Sequence, residues 1–205
     1  PRFVWRINLK YKLALKKSGR REVEKARKNG VTVKEGKRED LFAFYKLLKE
    51  TSHRNCFLIR DYYYFLNMWD CLHPSGFLKL YLAVQKDEPL SGALIAPFGE
   101  GVWDLYAATS SKAKKIGASY LLTWTLINKF AQENYIFYDL GGLPLREKKN
   151  NGLYLFKSRF GGSRVEFIGE YDLINLPTWY YFFQISTRLY EHLKHVRKKL
   201  MPIML

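Results

Sequence analysis

The sequence has few residues of the kinds that carry redox or metal chemistry. It contains two cysteines, three methionines and four histidines in 205 residues. Cys56 and Cys71 show no spacing typical of a metal or redox motif, so we predict free thiols in a reducing cytoplasm. The histidines show no ligand spacing either, and we predict no metal site. No apolar run approaches the roughly 18 residues of a membrane span, and no secretory signal is visible.

Acidic residues are also scarce. The chain has 19 Asp and Glu against 35 Lys and Arg, which gives a formal net charge of +16. This excess favours an anionic partner, such as a nucleic acid, a nucleotide diphosphate or an anionic membrane surface. A basic surface that only keeps the protein in solution is the alternative. The 47% of apolar residues excludes a disordered polypeptide, and the length is that of one ordinary domain.

The hydrophobic pattern predicts a chain of mixed secondary structure. Alternating or short apolar runs predict strands at 3–9, 31–34, 77–85, 90–98, 102–108, 135–138 and 165–173. Helical spacing predicts helices at 10–29, 40–50, 60–65, 118–133, 152–160 and 177–200. We therefore predict an α/β (α+β) domain, in which helices flank a mixed, mostly antiparallel sheet.

The most informative stretch runs from Tyr135 to Asp172. An apolar strand is closed by Asp139, and the pair Gly141 and Gly142 predicts a loop that lets the backbone turn or a ligand approach closely. A polar loop at 146–151 leads to the short helix that carries Lys157, and a second glycine pair ends that helix. This order of elements suits a binding site built between a strand, a glycine loop and a helix.

Two further groups are candidates for binding anions. Arg20, Arg21, Lys25 and Lys28 form a basic helix face that can follow the phosphates of an RNA, or can simply be solvated. If residues 60–65 are helical, an arginine and a tyrosine four residues apart share one face and can hold a phosphate and a sugar or peptide. The alternative for that segment is an aromatic core helix with an arginine at its rim.

Several segments resemble the FemA/FemB/FemX aminoacyltransferases, which build the interpeptide bridge of bacterial peptidoglycan. The segments are DLGG at 139–142, GLYLFKSRFGG at 152–162, EFIGEYDL at 166–173 and the basic helix at 20–31. The resemblance implies a single GNAT-like domain over residues 1–205, equivalent to the second domain of those enzymes, with a C-terminal helix at 177–200. Since members of the family have two such domains, it also implies a missing N-terminal domain or a partner chain.

The resemblance implies a reaction and roles for individual residues. An amino acid would pass from an aminoacyl-tRNA to the peptide amine of a peptidoglycan precursor, either UDP-muramyl pentapeptide or lipid II, without a cofactor. Lys157 would be catalytic, as the cation that stabilises the oxyanion, and Phe156 would meet the aminoacylated CCA end. Arg60, Tyr64 and Tyr106 would hold the precursor. The alternative for Tyr106 and Phe156 is a place in the core.

The remaining expectations concern partners. Arg20, Arg21, Lys25 and Lys28 would bind tRNA, and Gly141 and Gly142 would lie against the substrate. The C-terminal helix is basic and amphipathic, so it can contact an anionic membrane from the cytoplasmic side. Two alternatives stay open. One is a CoA-dependent GNAT N-acyltransferase, indicated by the single Gly117 before a helix. The other is a non-catalytic half-domain that binds an anion, RNA or the precursor.

Overall fold

The computed structural model describes residues 2–11, 13–143, 152–169 and 172–200, excluding the side chains of 191, 192 and 194–200. The chain divides into two compact units, Pro1–Ile168 and Gly169–Leu205. The polar loop predicted at 146–151 lies outside the described residues, as do the side chains of most basic residues in the C-terminal helix.

The first unit contains one sheet with helices on both faces. The strands are β1 (Phe3–Asn8), β2 (Thr32–Gly36), β3 (Lys79–Gln85), β4 (Glu88–Phe98), β5 (Gly101–Thr109), β6 (Phe137–Leu143) and β7 (Ser163–Glu166). The helices are α1 (Lys17–Lys28), α2 (Leu41–Asn55), α3 (Tyr62–Leu72), α4 (Ser111–Ile116), α5 (Ala118–Gln132) and α6 (Gly152–Ser158). In the second unit, α7 spans Pro177–Leu200.

The sheet has the order β2-β3-β4-β5-β6-β1-β7, and its neighbours are antiparallel except for one parallel pair, β5 and β6. The parallel ladder is short and ends where Trp103 pairs with Asp139. Beyond that point β5 stays paired with β4, and β6 stays paired with β1. The sheet is therefore split between the C-terminal halves of β5 and β6.

Two hydrophobic clusters lie on opposite faces of this sheet. The first joins α1 and α5 to the sheet and contains Phe130, Tyr138 and Phe160 among its buried residues. The second joins α2 and α3 to the sheet and contains Phe44 and Phe65. The alternation of strand residues between these clusters follows from the period of two along a strand. The architecture confirms the predicted mixed sheet, mostly antiparallel and flanked by helices.

Several predicted boundaries differ from the structure. The helix predicted from residue 10 begins at Lys17, and Gly19 is buried inside it. The strand predicted at 165–173 ends at Glu166. The loop predicted at Gly141 and Gly142 is wrong, because both residues belong to β6. Gly142 pairs with Val4 of β1, whereas Gly141, with φ +78°, lies at the irregularity of that ladder. The short α4 was not predicted, since six residues are too few to show a helical period.

The second unit is built on α7, which confirms the helix predicted there. Its described part carries many large apolar side chains that are exposed, Trp179, Tyr181, Phe182, Phe183, Ile185, Leu189, Tyr190 and Leu193. Among the helices of the described residues, none is both long and apolar enough to cross a bilayer.

Candidate active site

The split between β5 and β6 is flanked by chemically different groups on the two faces of the sheet. The β4–β5 ladder pairs Ile95 with Asp104 and Leu94 with Tyr106, which leaves Leu105 as the extra residue of a bulge. Directly paired residues share a face of the sheet. Ile95 belongs to the first cluster and Leu94 to the second. The bulge therefore turns Asp104 and Tyr106 to opposite faces.

Lys157 lies at the split, on the α5 side of the sheet. Its side chain enters from the last turn of α6, and the residue is only 5% exposed. Its Nζ donates to the carbonyl oxygens of Gly141 at 3.0 Å and Gly142 at 2.7 Å. Two of the three N–H donors of the ammonium are thus used by β6. This burial excludes a solvent-exposed helix charge at Lys157.

Burial brings the pKa values of Lys157 and Asp104 close together. Desolvation lowers the pKa of Lys157 to about 8, although Asp104 and Asp139 act in the opposite direction. Desolvation raises the pKa of Asp104 to about 7; Lys157 opposes the rise and Asp139 adds to it. Near neutral pH both groups can therefore gain or lose a proton.

Asp139 holds the backbone of this region in place. It is 1% exposed, and its Oδ1 accepts from the backbone N–H of Gly141 at 2.8 Å. Its Oδ2 accepts from the guanidinium of Arg6 on β1, with Nη2 at 3.0 Å. Gly141 has φ +78°, a conformation that favours glycine. Asp139 thus braces the glycine pair whose carbonyl groups bind Lys157.

Arg60, Tyr64 and Tyr106 form a second group, on the α2 and α3 side of the sheet. The helix predicted from residue 60 begins at Tyr62, so Arg60 precedes α3. Its guanidinium nevertheless lies 5.7 Å from the ring centre of Tyr64. Desolvation raises the pKa of Tyr106 to about 12, interaction with the Tyr64 hydroxyl adds to this rise, and Arg60 opposes it. Phe65 packs edge-on against Tyr106 at 5.1 Å. The three predicted precursor-binding residues are therefore neighbours.

The four basic residues predicted to bind tRNA are exposed on α1. This helix packs on the α5 side, where Val23 and Ala26 enter the first cluster. The backbone N–H of Lys16, just before α1, donates to the carbonyl of Arg159, two residues beyond Lys157. The basic helix and Lys157 therefore lie on the same side of the sheet, opposite to Arg60.

Phe156 is half-buried beside Lys157. Its ring packs against Tyr120 at 4.8 Å and Phe160 at 5.1 Å. Arg159 donates to the Tyr120 hydroxyl at 2.5 Å. Leu153, three residues before Phe156 in α6, is 47% exposed. Phe156 thus belongs to the edge of the core and keeps part of its ring accessible.

The structure adds two residues that the sequence did not point to, Asp104 and Arg6. Each lies in an apolar strand, FVWRIN for Arg6 and VWDLYA for Asp104. A single charged residue within such a strand is a usable signal, because isolated charges are rarely placed in buried strands. Among the described residues, no group of His, Cys, Asp and Glu could hold a metal ion.

The start of α5, where GNAT enzymes bind a pyrophosphate, is covered in this chain. Gly117 has φ +80°, and a Cβ atom there would lie 2.4 Å from the backbone carbonyl of Glu22 on α1. The preceding residues form α4 rather than an open glycine-rich loop. This packing leaves little room for a phosphate group at that helix end.

Comparisons with known proteins agree with this architecture. Lipid II:glycine glycyltransferase of Staphylococcus aureus is 25% identical over 91% of this chain, which spans 61% of that relative's length. The crystal structure of FemX matches with a TM-score of 0.75 and 25% identity, over 87% of this chain and 63% of its own. A possible acetyltransferase from Clostridium difficile 630, 12% identical, matches with a TM-score of 0.55 over 71% of this chain and 99% of its own, and supports the GNAT-like fold alone.

The family comparison covers the sheet and both groups of candidate residues. A model described as the FemAB family matches residues 5–84 and 75–188. Together these segments include Asp104, Lys157 and the Arg60 group. The chain belongs to the FemAB family.

Proposed function

We propose that this chain forms the part of a Fem-type aminoacyltransferase that joins an activated amino acid to the peptide amine of a peptidoglycan precursor. The donor would be an aminoacyl-tRNA, and the acceptor UDP-muramyl pentapeptide or lipid II. The relative named a lipid II:glycine glycyltransferase supports the acceptor class. The observation that carries the proposal is Lys157, an enclosed ammonium at the split between β5 and β6.

The two faces of the sheet suit two different substrates. On the α5 side, α1 has six Lys and Arg against two Glu, which suits a polyanion such as tRNA. On the other side, Arg60 with Tyr64 and Tyr106 offers one cation and two hydroxyl groups, which suits the diphosphate and peptide of the precursor. The split between β5 and β6 then lets the two reacting ends meet through the sheet.

Lys157 would stabilise the charge that develops during the reaction. Attack of an amine on an ester carbonyl carbon produces an oxyanion, and a fixed cation in a desolvated site stabilises it strongly. The carbonyl groups of Gly141 and Gly142 fix the position of Nζ, and its third N–H donor is left for the oxyanion. Because the tRNA ester is already activated, positioning and charge stabilisation supply most of the catalysis.

The packing at Gly117 favours this proposal over a CoA-dependent N-acyltransferase. Glu22 occupies the space next to the start of α5, which is where the pyrophosphate of CoA would need free backbone N–H groups. Acetyl-CoA binding by the chain in the micromolar range, measured by calorimetry, would restore that alternative.

A transfer assay tests the proposal. The chain is mixed with tRNA charged with Gly, Ala or Ser and with UDP-muramyl pentapeptide or lipid II, and the aminoacylated precursor is measured. Lys157→Ala and Lys157→Met should reduce the rate constant by about 10²-fold or more, through loss of the oxyanion stabiliser. Met keeps the volume of the side chain, so its effect separates loss of charge from loss of packing.

The control for that assay is Lys49→Ala, which removes an exposed lysine from α2 and should leave the rate unchanged. Full activity of Lys157→Met would contradict the role of Lys157 but not the reaction. Absence of transfer by the unaltered chain, with retained binding of precursor or RNA, would favour the non-catalytic half-domain.

A further inference from the structure

Asp104 occupies the point at which the sheet opens. Trp103 is the last residue of β5 that pairs with β6, so Asp104 is the first residue past the parallel ladder. Its backbone carbonyl lies 3.5 Å from the position of a Cβ on Gly141, which shows how close the two strands still are there. Tyr106 of the proposed acceptor site follows two residues later. Asp104 therefore lies at the split, two residues along β5 from Tyr106 and on the face of the sheet that carries Lys157.

One oxygen of the Asp104 carboxyl group lacks the hydrogen bond that normally accompanies burial. Its Oδ1 is shielded from solvent and has no hydrogen-bond partner among the described residues. Buried polar groups are nearly always paired, so an unpaired carboxyl oxygen calls for a functional explanation. The titratable groups that face it are Lys157 from α6 and Asp139 and Tyr138 from β6. In the described part of the chain, none of them forms a direct ion pair with it.

Asp139, in contrast, has no unpaired carboxylate oxygen. Both of its oxygens are used, by the N–H of Gly141 and by the guanidinium of Arg6. Lys157 also has two of its donors fixed on β6. Within this group, Asp104 is the one carboxylate with an oxygen free to receive a proton from a substrate.

The proposed reaction needs such a group. An alkyl amine of the lysine type has a pKa of about 10.4 and is protonated at neutral pH, when it has no lone pair for attack. A base that works at neutral pH should itself have a pKa near 7. Burial and the nearby Asp139 carboxylate raise the pKa of Asp104 to about 7.

We propose that Asp104 is the general base that accepts a proton from the acceptor amine. An N–H bond of the ammonium breaks and an O–H bond forms on Asp104. The amine nitrogen then bonds to the ester carbon while the bond to the tRNA 3′-oxygen breaks. A second proton leaves the nitrogen and ends on that 3′-oxygen, and Asp104 releases its own proton to water. This assignment rests on the proposed transferase function.

The test uses the full chain and compares Asp104→Asn with the unaltered protein. Asn keeps the shape of the side chain but cannot take up the proton, so kcat should fall by about 10²- to 10⁴-fold. Precursor binding, measured by calorimetry, should stay within about twofold because the amide occupies the same space. Asp87→Asn is the matched control: Asp87 is exposed in the β3–β4 turn with φ +61°, which Asn tolerates.

The pH dependence separates a base from a structural residue. In the unaltered chain, kcat should rise as the pH passes about 7 and fall again above about pH 8, where the Lys157 ammonium loses its proton. In Asp104→Asn the rise near pH 7 should be absent. A ¹³C NMR titration of the carboxyl groups supplies a reading that needs no turnover, and Asp104 should titrate near pH 7. A value below pH 5 would overturn the proposal even if Asp104→Asn were inactive.

The outcomes also distinguish this proposal from the one it rests on. Transfer by the unaltered chain and equal transfer by Asp104→Asn, with the same pH step, would overturn only the role of Asp104. No transfer by the unaltered chain would overturn the proposed function and this role together.

Discussion

Gly117 shows how one residue without a side chain sets the contact between two helices. Its φ of +80° and the carbonyl of Glu22, 2.4 Å from a Cβ position, both oppose any other residue. Gly30 has a similar φ of +71° but nothing within 4 Å of its Cβ position. Gly30→Ala should therefore cost about 1 kcal/mol from the backbone alone. Gly117→Ala should cost at least about 3 kcal/mol, because a backbone carbonyl cannot move aside cheaply.

Urea denaturation of the two variants measures this difference. Both chains gain one methyl group at a left-handed glycine, so the comparison isolates the contact with Glu22. Equal losses of unfolding free energy would show that α1 does not press on the start of α5, and would weaken the argument against a CoA site.

The raised pKa of Asp104 also predicts how the unfolding free energy depends on pH, which can be measured without an activity assay. Its pKa is raised from 3.8 to about 7 in the folded chain, so the folded state binds the proton more tightly than the unfolded state. The contribution of protonated Asp104 to the stability of the folded state is fully present below about pH 4 and is lost as the pH rises through about 7. Relative to Asp104→Asn, the unfolding free energy of the unaltered chain should fall by about 2–4 kcal/mol over that range.

Urea denaturation at pH 4.5, 6.0 and 7.5 checks this dependence. The pKa of Lys157 is lowered from 10.5 to about 8, so its contribution to stability changes with pH mainly between those two values and is nearly constant from pH 4.5 to 7.5. Parallel pH curves for the two proteins would mean that Asp104 is well solvated.

Residues of the site differ in how far the sequence alone could reveal them. Lys157 was named from its motif, but its burial depends on β6, whose carbonyl groups lie 15 and 16 residues away along the chain. Asp104 was missed because its unusual surroundings arise only when β5 and β6 separate. Charge and spacing are visible in a sequence, whereas desolvation is a property of the folded chain.

Charge reversal on α1 tests whether tRNA binds on the α5 side of the sheet. Arg21→Glu combined with Lys25→Glu should weaken tRNA binding. The slope of log K against log salt should become smaller in magnitude by about 2, because about two phosphate contacts are lost. The matched variant reverses Lys46 and Lys49, which are exposed on α2. It makes the same change in net charge on the opposite face of the sheet.

Filter binding at several salt concentrations measures both variants. If the two double variants weaken tRNA binding equally, the binding reflects the general charge of +16 rather than a site on α1. Retained precursor binding in both would show that the acceptor side is intact.

Most elements were predictable because their hydrophobic periods are local. The meander β3–β4–β5 and the helices α2 and α5 agree with prediction to within a few residues, apart from the end of α2 at Asn55. The glycine pair of β6 was misassigned because glycines usually mark turns. What keeps Gly142 in the strand is the pairing of Val4 with Gly142 and of Phe3 with Leu143, while Gly141 retains a φ of +78°. A partner more than a hundred residues away cannot be read from a local pattern.

Both hydrophobic clusters and all the candidate site residues fall within the first compact unit. The last buried member of the cores is Phe160, which is 1% exposed. The sequence predicted one domain over the full length. The contact pattern that separates Gly169–Leu205 from the rest is a tertiary property.

A truncation after Ile168 tests whether the first unit is a self-sufficient fold. It keeps β7 and every buried core residue, so we expect cooperative unfolding with a midpoint within a few degrees of that of the full chain. A truncation after Ser158 is the contrast. It removes Phe160, and with it the Gly161 carbonyl that accepts from the Trp5 indole at 2.7 Å. Loss of a buried Phe alone costs about 3–5 kcal/mol.

Thermal unfolding followed by circular dichroism compares the three chains, and ¹³C titration of Asp104 in the longer truncation reports on the site itself. A midpoint that falls as far after Ile168 as after Ser158 would mean that the second unit contributes to the stability of the first. An unchanged midpoint with an unchanged Asp104 pKa would show that residues 1–168 are sufficient to create the surroundings of Asp104 that raise its pKa. The apolar residues of α7 would then be free for a role other than holding that fold together.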